Sequence, residues 1–224
     1  MRHGNLYMES VGVIPIVVFD TETTGFDSDP YAEIVEFAAV RFEGGKVVGS
    51  YTARCDPGVP IGPGAERVHK ISGADVQGLP KLLDRFDDLM KSGLCEGAYP
   101  LAYNAPFDYS MLHRALPFEC WRTTGWDVPL CDPQCVWLDP LVWGRRFGTR
   151  YRHKLIEACK RYDIALDQAH AAEADCTAAG QLFYAATVDF MGGPVRRLGD
   201  VVAEQTIYAH EQRVAFEKRY GRCL

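Results

Sequence analysis

Residues 14–25 read I-P-I-V-V-F-D-T-E-T-T-G, a short apolar run that ends in acidic and small polar residues. Such a run predicts a buried β-strand that leads into a loop. Asp20 and Glu22 stand two positions apart, and because side chains alternate between the faces of a strand, both carboxylates are predicted on the same side. Two like charges this close repel each other unless a cation holds both ionised. The segment therefore predicts a divalent metal site, with solvated acids at a strand end as the plainer alternative.

The rest of the chain predicts a sheet flanked by helices. The runs 34–42 and 46–54 flank Glu43-Gly44-Gly45 and predict a hairpin with a glycine turn. A fourth strand is predicted over 99–103 and a last one over 135–138. Helix signals recur over residues 79–90, from 104, from 139, and over 154–162, 171–190 and 198–220. Three strands followed by alternating helices and strands predict one α/β domain with a mixed sheet.

The composition is that of an ordinary globular chain, with 224 residues of which 47% are hydrophobic and 24% charged. It excludes a disordered, collagen-like or coiled-coil protein. The longest apolar run, residues 11–19, is too short to span a bilayer, and residues 1–10 lack the apolar stretch of a secretory signal, so we expect a cytoplasmic protein without membrane association. The eight cysteines predict buried thiols. A zinc site at Cys120, Cys131 and Cys135 is the weaker alternative, because no fourth ligand has suitable spacing.

The net charge of −6 has the wrong sign for holding nucleic acid by bulk electrostatics. Two divalent cations bound among carboxylates would add about four positive charges locally. Oxygen ligands favour Mg²⁺ or Mn²⁺ over zinc. Five cationic residues could follow a phosphate backbone, although a solvated turn explains them equally well; they are Arg145, Arg146, Arg150, Arg152 and Lys154.

Two more acids and a histidine extend the pattern. Asp108, in Y-N-A-P-F-D, falls in the first turn of a predicted helix, where an ionised carboxylate is favoured, and Asn104 is predicted to cap that helix. An acid without any ligand is the alternative for Asp108. In H-A-A-E-A-D, residues 170–175, a five-residue offset on one helix would leave His170 and Asp175 about 140° apart. We therefore expect Asp175 on the long helix and His170 on the preceding loop, where a base can move in and out; a plain surface histidine is the alternative.

Together these motifs resemble the DEDDh, or DnaQ-like, 3′→5′ exonucleases of the ribonuclease H-like fold. The resemblance rests on F-D-T-E-T-T-G at 19–25, N-A-P-F-D at 104–108 and H-A-A-E-A-D at 170–175, which occur in the family's order. Weaker similarity lies in R-V-H-K-I-S at 67–72 and K-L-I-E-A-C-K-R-Y-D-I at 154–164. The likeness implies an α/β fold with a ribonuclease H-like, mixed five-stranded sheet flanked by helices. Tyr103 departs from the family, which often has histidine there.

The resemblance implies a role for each matching residue. Asp20, Glu22, Asp108 and Asp175 would hold two divalent ions, Mg²⁺ or Mn²⁺, and His170 would act as general base in hydrolysis that releases nucleoside 5′-monophosphates. The residues implied to contact the terminal nucleotide are Thr23, Thr24, Gly25, Val68, His69, Asn104 and Phe107. Helix capping is the stronger interpretation of Asn104. Helix packing explains Phe107 equally well, and His69 could be an ordinary loop residue.

We expect an exonuclease domain over residues 14–190, a flexible N-terminus over 1–13 and a helical extension over 191–224. The extension could bind a DNA polymerase, form a homodimer or cap the sheet. The expected substrates are 3′ ends of single-stranded DNA or RNA, between which the motifs do not choose. A catalytically inactive nucleic-acid-binding or polymerase-associated module is the alternative function. An oxidoreductase and a metalloprotease are disfavoured, because G-x-G-x-x-G and H-E-x-x-H are absent.

Overall fold

The computed structural model of the chain describes residues 9–26, 28–117, 120, 137–147, 154–166, 170–189 and 196–220. Four strands form one sheet: β1 (Ile16–Thr23), β2 (Ile34–Glu43), β3 (Lys46–Arg54) and β4 (Tyr99–Leu101). Their order is β3-β2-β1-β4. β1 pairs with β2 and β2 with β3 in antiparallel fashion, whereas β1 pairs with β4 in parallel. The predicted mixed sheet is therefore confirmed.

The hairpin of β2 and β3 turns where the two glycines predicted it. Gly44 and Gly45 have φ of 56° and 79°, values in the left-handed region that glycine adopts without steric cost. The hairpin register places Glu36 opposite Arg54. On its other side, β2 pairs with β1 so that Glu36 lies opposite Glu22 and Ala38 opposite Asp20. The pairing of β2 with β1 thus decides which side chains lie beside the acidic end of β1.

Eight helices lie among the residues that the structure describes. They are α1 (Pro63–His69), α2 (Gly73–Val76), α3 (Leu82–Lys91), α4 (Ala105–Ala115), α5 (Pro140–Phe147), α6 (Leu155–Arg161), α7 (Ala172–Asp189) and α8 (Leu198–Tyr220). In the part of the chain that the structure describes, no helix is both long and apolar enough to cross a membrane.

The predicted fifth strand is wrong for the described part of the chain. Leu138 forms an isolated parallel bridge with Leu101, and Cys135 lies outside the described residues. The bridge does not continue toward the C-terminus, because α5 begins at Pro140, whose nitrogen has no hydrogen to donate to a sheet. Within the described residues, the sheet therefore has four strands and the bridge at Leu138 beside β4.

Helix α7 packs against β1 and β2 and forms one wall of the core. Gly180 lies at this contact: a Cβ on it would be 2.3 Å from Cε2 of Phe42, a fully buried ring on β2. The glycine therefore allows the helix to approach the sheet closely. Because Asp175 lies on the same helix, this contact also sets how near that carboxylate comes to β1.

Helix α8 joins the main body through buried side chains. Leu198 and Val201 are fully buried in the main core cluster. Further along the helix, the ring of Tyr208 meets that of Trp143 on α5 edge to face, with centroids 5.3 Å apart. The described part of the predicted helical extension, residues 196–220, is therefore packed onto the domain.

Among the described cysteines, Cys55, Cys95, Cys159 and Cys176 are buried free thiols and Cys120 is a half-buried one. The predicted buried thiols are confirmed for these four. Cys131 and Cys135 of the zinc alternative lie outside the described residues.

Candidate active site

Three elements bring the four predicted acids to one end of the sheet. Asp20 and Glu22 lie near the carboxyl end of β1. Asp108 lies in the first turn of α4, which follows β4, the parallel neighbour of β1. Asp175 lies in the first turn of α7, which packs on β1. Acids far apart in sequence therefore converge because β4 and α7 are both neighbours of β1.

His170 joins this group from the turn before α7. Glu22, His170 and Asp175 each offer an oxygen or ring nitrogen, and these three atoms lie within 4.8 Å of one another. The backbone of His170 has a φ of 71°, and its N–H donates to Oδ2 of Asp175 at 3.0 Å. This left-handed turn folds the loop back onto the helix. The predicted placement of His170 outside the helix and Asp175 on it agrees with the structure.

The carboxylates perturb one another strongly. Burial, and then the charges of Asp108, Asp175 and Glu22, hold the pKa of Asp20 well above its ordinary value of 3.8. Burial, followed by the charges of Asp175 and Glu36, raises the pKa of Glu22 to about 8. Burial also raises the pKa of Asp108 to about 7 and the pKa of Asp175. Without a cation, this end of the sheet therefore favours bound protons over negative charge.

The donor set fits divalent cations. Oδ1 of Asp175 is buried and has no hydrogen-bond partner among the described residues, although its other oxygen accepts the His170 N–H. A buried polar atom without a partner is costly, and a metal ion facing it removes that cost. Clustered carboxylate oxygens are the ligands that Mg²⁺ and Mn²⁺ prefer.

Two residues of this cluster were missed by sequence reasoning. Thr21 donates from Oγ1 to Oδ1 of Asp108 at 2.7 Å, across 87 residues of sequence, and nothing in the sequence indicates this bond. Glu36 faces Glu22 across the β1–β2 pair and accepts a hydrogen bond from Nε of Arg54 at 2.8 Å. Glu36 lies on a predicted strand, but the turn of the hairpin does not set the β1–β2 register that places Glu36 opposite Glu22.

The turn after β1 is braced within the protein. The N–H of Thr24 donates to the carbonyl of Glu33 at 2.8 Å, and the carbonyl of Thr24 accepts the Gly62 N–H at 3.0 Å. Oγ1 of Thr23 donates to the carbonyl of Gly25. Thr23, Thr24 and Gly25, three of the seven residues predicted to contact substrate, therefore form a turn whose shape is held by hydrogen bonds within the protein.

His69 ties α1 to the same turn. Nδ1 of His69 accepts the N–H of Ile71 at 3.0 Å, so Nε2 carries the proton and lies 3.3 Å from the carbonyl of Thr23. Burial lowers the pKa of His69, which keeps the ring neutral. Its neighbour Val68 is 47% exposed. His69 is thus more than an ordinary loop residue, since it connects a helix to the strand that carries Asp20 and Glu22.

The predicted cap of α4 by Asn104 is wrong. Asn104 occupies the N-cap position, but its backbone is left-handed (φ 70°, ψ 50°) and its side chain makes no capping hydrogen bond. A capping side chain normally requires an extended backbone. The cap comes instead from Asp139, whose carboxylate accepts the N–H groups of Asn104 and Ala105 at 3.1 and 3.0 Å. The side chain of Asn104 is exposed, and Phe107 is half-buried against the core.

The predicted basic patch is only partly described. Arg150 and Arg152 lie outside the described residues. Arg146 lies 3.5 Å from a carboxylate oxygen of Glu211 on α8 and over the ring of Tyr208. Its guanidinium is thus engaged with the protein's own helix.

A mixed sheet in which an inner strand ends in acids, joined there by acids from two helices, defines a ribonuclease H-like protein with a candidate metal site. Comparison with known proteins names the family. The model of the exonuclease family called RNase_T matches residues 17–183, and the chain belongs to this DnaQ-like, DEDDh family. The resemblance seen in the sequence is confirmed.

The similar proteins include two whose names refer to a DNA polymerase. A DNA polymerase III PolC-type protein of Lacticaseibacillus paracasei is 32% identical over 170 residues, which cover 75% of this chain and 11% of that protein. A DNA polymerase III subunit epsilon-like protein of Rhodobacter capsulatus is 33% identical over 174 residues, covering 76% of this chain and 23% of that protein. The chain thus spans less than a quarter of the length of these relatives.

Two solved structures share the fold. Exonuclease X, in complex with 5′ overhanging duplex DNA, aligns with a TM-score of 0.58 at 23% identity, covering 84% of this chain and 99% of that one. A structure of exonuclease I aligns with a TM-score of 0.61 at 17% identity, covering 89% of this chain and 44% of that one. The ribonuclease H-like fold expected from the sequence is thereby confirmed.

Proposed function

We propose that this protein is a metal-dependent 3′→5′ exonuclease that hydrolyses the terminal phosphodiester bond of single-stranded DNA or RNA and releases nucleoside 5′-monophosphates. The observation that carries the proposal is the convergence of Glu22, Asp175 and His170 within 4.8 Å. Asp20 lies near enough to Glu22, Asp108 and Asp175 that their charges raise its pKa. An acid cluster without a ligand would be costly at this degree of burial. Its cost is explained if the cluster exists to bind cations.

Asp20, Glu22, Asp108 and Asp175 would hold two divalent ions, Mg²⁺ or Mn²⁺. Bound between such carboxylates, divalent ions acidify an attacking water and stabilise the charge on a leaving oxygen. The buried, unpartnered Oδ1 of Asp175 and the raised pKa of Glu22 support this assignment. The family relationship supports a divalent metal requirement as well.

His170 is proposed as the general base. Its imidazole ring stands beside the carboxylates of Glu22 and Asp175, and a free ring nitrogen can accept the proton of a water molecule that attacks the terminal phosphate. The hydrogen bond from its backbone N–H to Asp175 anchors the residue, whereas its side chain is exposed at the surface of the site. The ring can therefore meet a substrate while the backbone stays in place.

The turn 23–25 and the end of α1 are proposed to form the binding site for the terminal nucleotide. The turn is braced by its contacts with Glu33 and Gly62, and His69 holds it to α1. Val68 offers exposed apolar surface next to His69, on which a base could stack. Asn104 and Phe107, at the start of α4, are proposed as contacts from the opposite side.

The proposal is tested with end-labelled DNA and RNA strands of several lengths, incubated with Mg²⁺, Mn²⁺ or a chelator. We expect wild-type protein to shorten strands from the 3′ end only when metal is present, and Asp20→Asn to lose at least about a hundredfold in rate, as is typical when a metal ligand is removed. Asp87→Asn, at an exposed position of α3, is the matched control and should keep full activity.

The alternative function, an inactive binding module, makes a different prediction in the same experiment. Such a module would bind the strands but leave them intact with either metal. The retention of all four acids and the histidine at one end of the sheet favours the enzyme. If none of the DNA and RNA strands is shortened with either metal, the binding module is the correct function.

A DNA polymerase partner is proposed, since the relatives named above carry DNA polymerase III in their names. A homodimer is the alternative assembly. Light scattering of the full chain at several concentrations tests the homodimer. A mass that remains that of one chain would refute it.

A further inference from the structure

The cap of α4 comes from a residue that the proposed mechanism does not use. The carboxylate of Asp139, which is 3% exposed, accepts the N–H groups of Asn104 and Ala105 and also that of Leu141 at 2.9 Å. These bonds hold the start of α4 against the start of α5. Asp108 follows Ala105 by three residues, within the first turn, so the cap sets the direction in which that carboxylate points.

Asp139 is itself held by helix α8. Gln205, which is 7% exposed, accepts the N–H of Asp139 through Oε1 at 2.9 Å and donates from Nε2 to the carbonyl of Trp137 at 2.9 Å. The same Oε1 lies 3.3 Å from Nε1 of Trp143. One buried amide thus satisfies two backbone groups and an indole around Asp139.

A continuous set of hydrogen bonds therefore runs from α8 through Gln205 and Asp139 to the first turn of α4. The other side of Asp108 is held by Thr21, so this carboxylate is fixed from two directions. Gln205 lies beyond the residues that match the family, which end at 183. The link therefore runs through α8, which lies outside the matched residues.

We propose that Gln205 is a positioning residue, which acts through Asp139 to place Asp108 for metal binding. The inference rests on the proposed function, because it assigns Asp108 to the metal site. It also makes α8 part of the catalytic unit, whereas the sequence predicted a helical extension over 191–224 without choosing its role.

The test is Gln205→Met in the full chain, a substitution that keeps the approximate shape of the side chain but removes its hydrogen bonds. We expect Mn²⁺ affinity, measured by calorimetry on the metal-free protein, to fall about tenfold or more, as is typical when the support of a metal ligand is lost. The catalytic rate should fall with it, while KM for an oligonucleotide stays within about twofold.

The matched control is Gln212→Met on the same helix. Gln212 donates to the carbonyl of Val142 at 2.8 Å, so its loss loosens the packing of α8 on α5 without touching Asp139. We expect this variant to bind Mn²⁺ like the wild type. A Gln205→Met variant that loses stability as Gln212→Met does, yet binds Mn²⁺ normally, would show a purely structural role and overturn the inference.

Asp139→Asn provides a second, independent variant should Gln205→Met fail to fold. The asparagine amide has one acceptor oxygen where the carboxylate has two, so the cap of α4 weakens. The hydrogen bond from the residue-139 N–H to Gln205 is left in place. We expect a similar loss of Mn²⁺ affinity, and normal affinity would again refute the proposal. The proposed function fails separately, if the wild-type protein neither binds Mn²⁺ nor shortens a strand.

Discussion

At the level of single residues, the site depends on how a short loop meets a helix. His170 reaches Glu22 and Asp175 because its backbone adopts a left-handed turn, closed by a hydrogen bond to Asp175 itself. The five-residue spacing would separate the two side chains if both were helical. The helix begins only at Ala172, so His170 stays in the preceding turn and its ring is exposed beside the acids.

For His170→Ala, we expect turnover to fall by about 10²–10⁴-fold, because a positioned general base contributes this much to a proton transfer. Metal binding should persist, since the four carboxylates remain. Single-turnover cleavage and Mn²⁺ calorimetry measure the two effects separately. His210→Ala, at an exposed position of α8, is the control. Unchanged turnover in His170→Ala would remove this histidine from the mechanism.

Thr21 supports a second prediction at this scale. For Thr21→Val, which keeps the shape but removes the hydroxyl, Asp108 loses its hydrogen bond, and we expect Mn²⁺ affinity to fall about tenfold. Thr52→Val is a suitable control, because Oγ1 of Thr52 bonds to Glu173, a carboxylate on α7 outside the acid cluster. Equal Mn²⁺ affinities of the two variants would contradict a role for Thr21.

At the level of elements, the distance between α7 and the sheet decides where Asp175 lies. Gly180 would be a poor choice for a helix interior if propensity alone mattered, since glycine costs about 1 kcal/mol relative to alanine there. The ring of Phe42 occupies the space that a side chain would need. Close packing therefore outweighs helix propensity at this position.

For Gly180→Ala, we expect the free energy of unfolding to fall by about 1–3 kcal/mol, because overpacking of a buried contact exceeds the gain in helix propensity. Urea denaturation measures this change. The control is Gly64→Ala in the exposed first turn of α1, where a Cβ would meet only a distant Arg67 side chain and stability should stay equal or rise. A stabilised Gly180→Ala variant would mean that α7 is not packed as described.

At the level of the whole molecule, the acid cluster concentrates unfavourable charge in a chain that is already negative, with a net charge of −6. The pKa of Glu22 rises from its ordinary 4.5 to about 8, and that of Asp108 from 3.8 to about 7. A group with a higher pKa in the folded state stabilises the fold at low pH, and this contribution disappears as the pH rises to the folded value. Folding and metal binding are therefore coupled through these protons.

We expect the thermal midpoint of the metal-free protein to fall as the pH is raised from about 5 to about 8, the window that these two carboxyls define. Added Mn²⁺ should raise the midpoint more at the upper end of that window, where the carboxylates are ionised; at 100 times its Kd, an ion adds about 2.7 kcal/mol. Differential scanning fluorimetry with and without Mn²⁺ measures both trends. A metal effect that does not depend on pH would contradict this coupling.

Local patterns in the sequence were sufficient for most elements and for the candidate acids. The apolar run before Asp20, the glycine turn of the hairpin and the alanine-rich 171–190 segment each predict an element that the structure contains. These signals are local, because periodicity and turn chemistry involve residues only a few positions apart. The motif order then identified the family, which the match over residues 17–183 bears out.

Only the tertiary structure decided what supports those acids. Asp139 caps α4 in place of Asn104, Gln205 holds Asp139, and Thr21 bonds to Asp108. These contacts join residues between 34 and 87 positions apart. The packing of helices on the sheet determines which residues form these contacts, because it places buried donors opposite buried acceptors. Such pairings leave no periodic trace in the sequence, since a buried polar group requires a partner but does not specify where along the chain that partner lies.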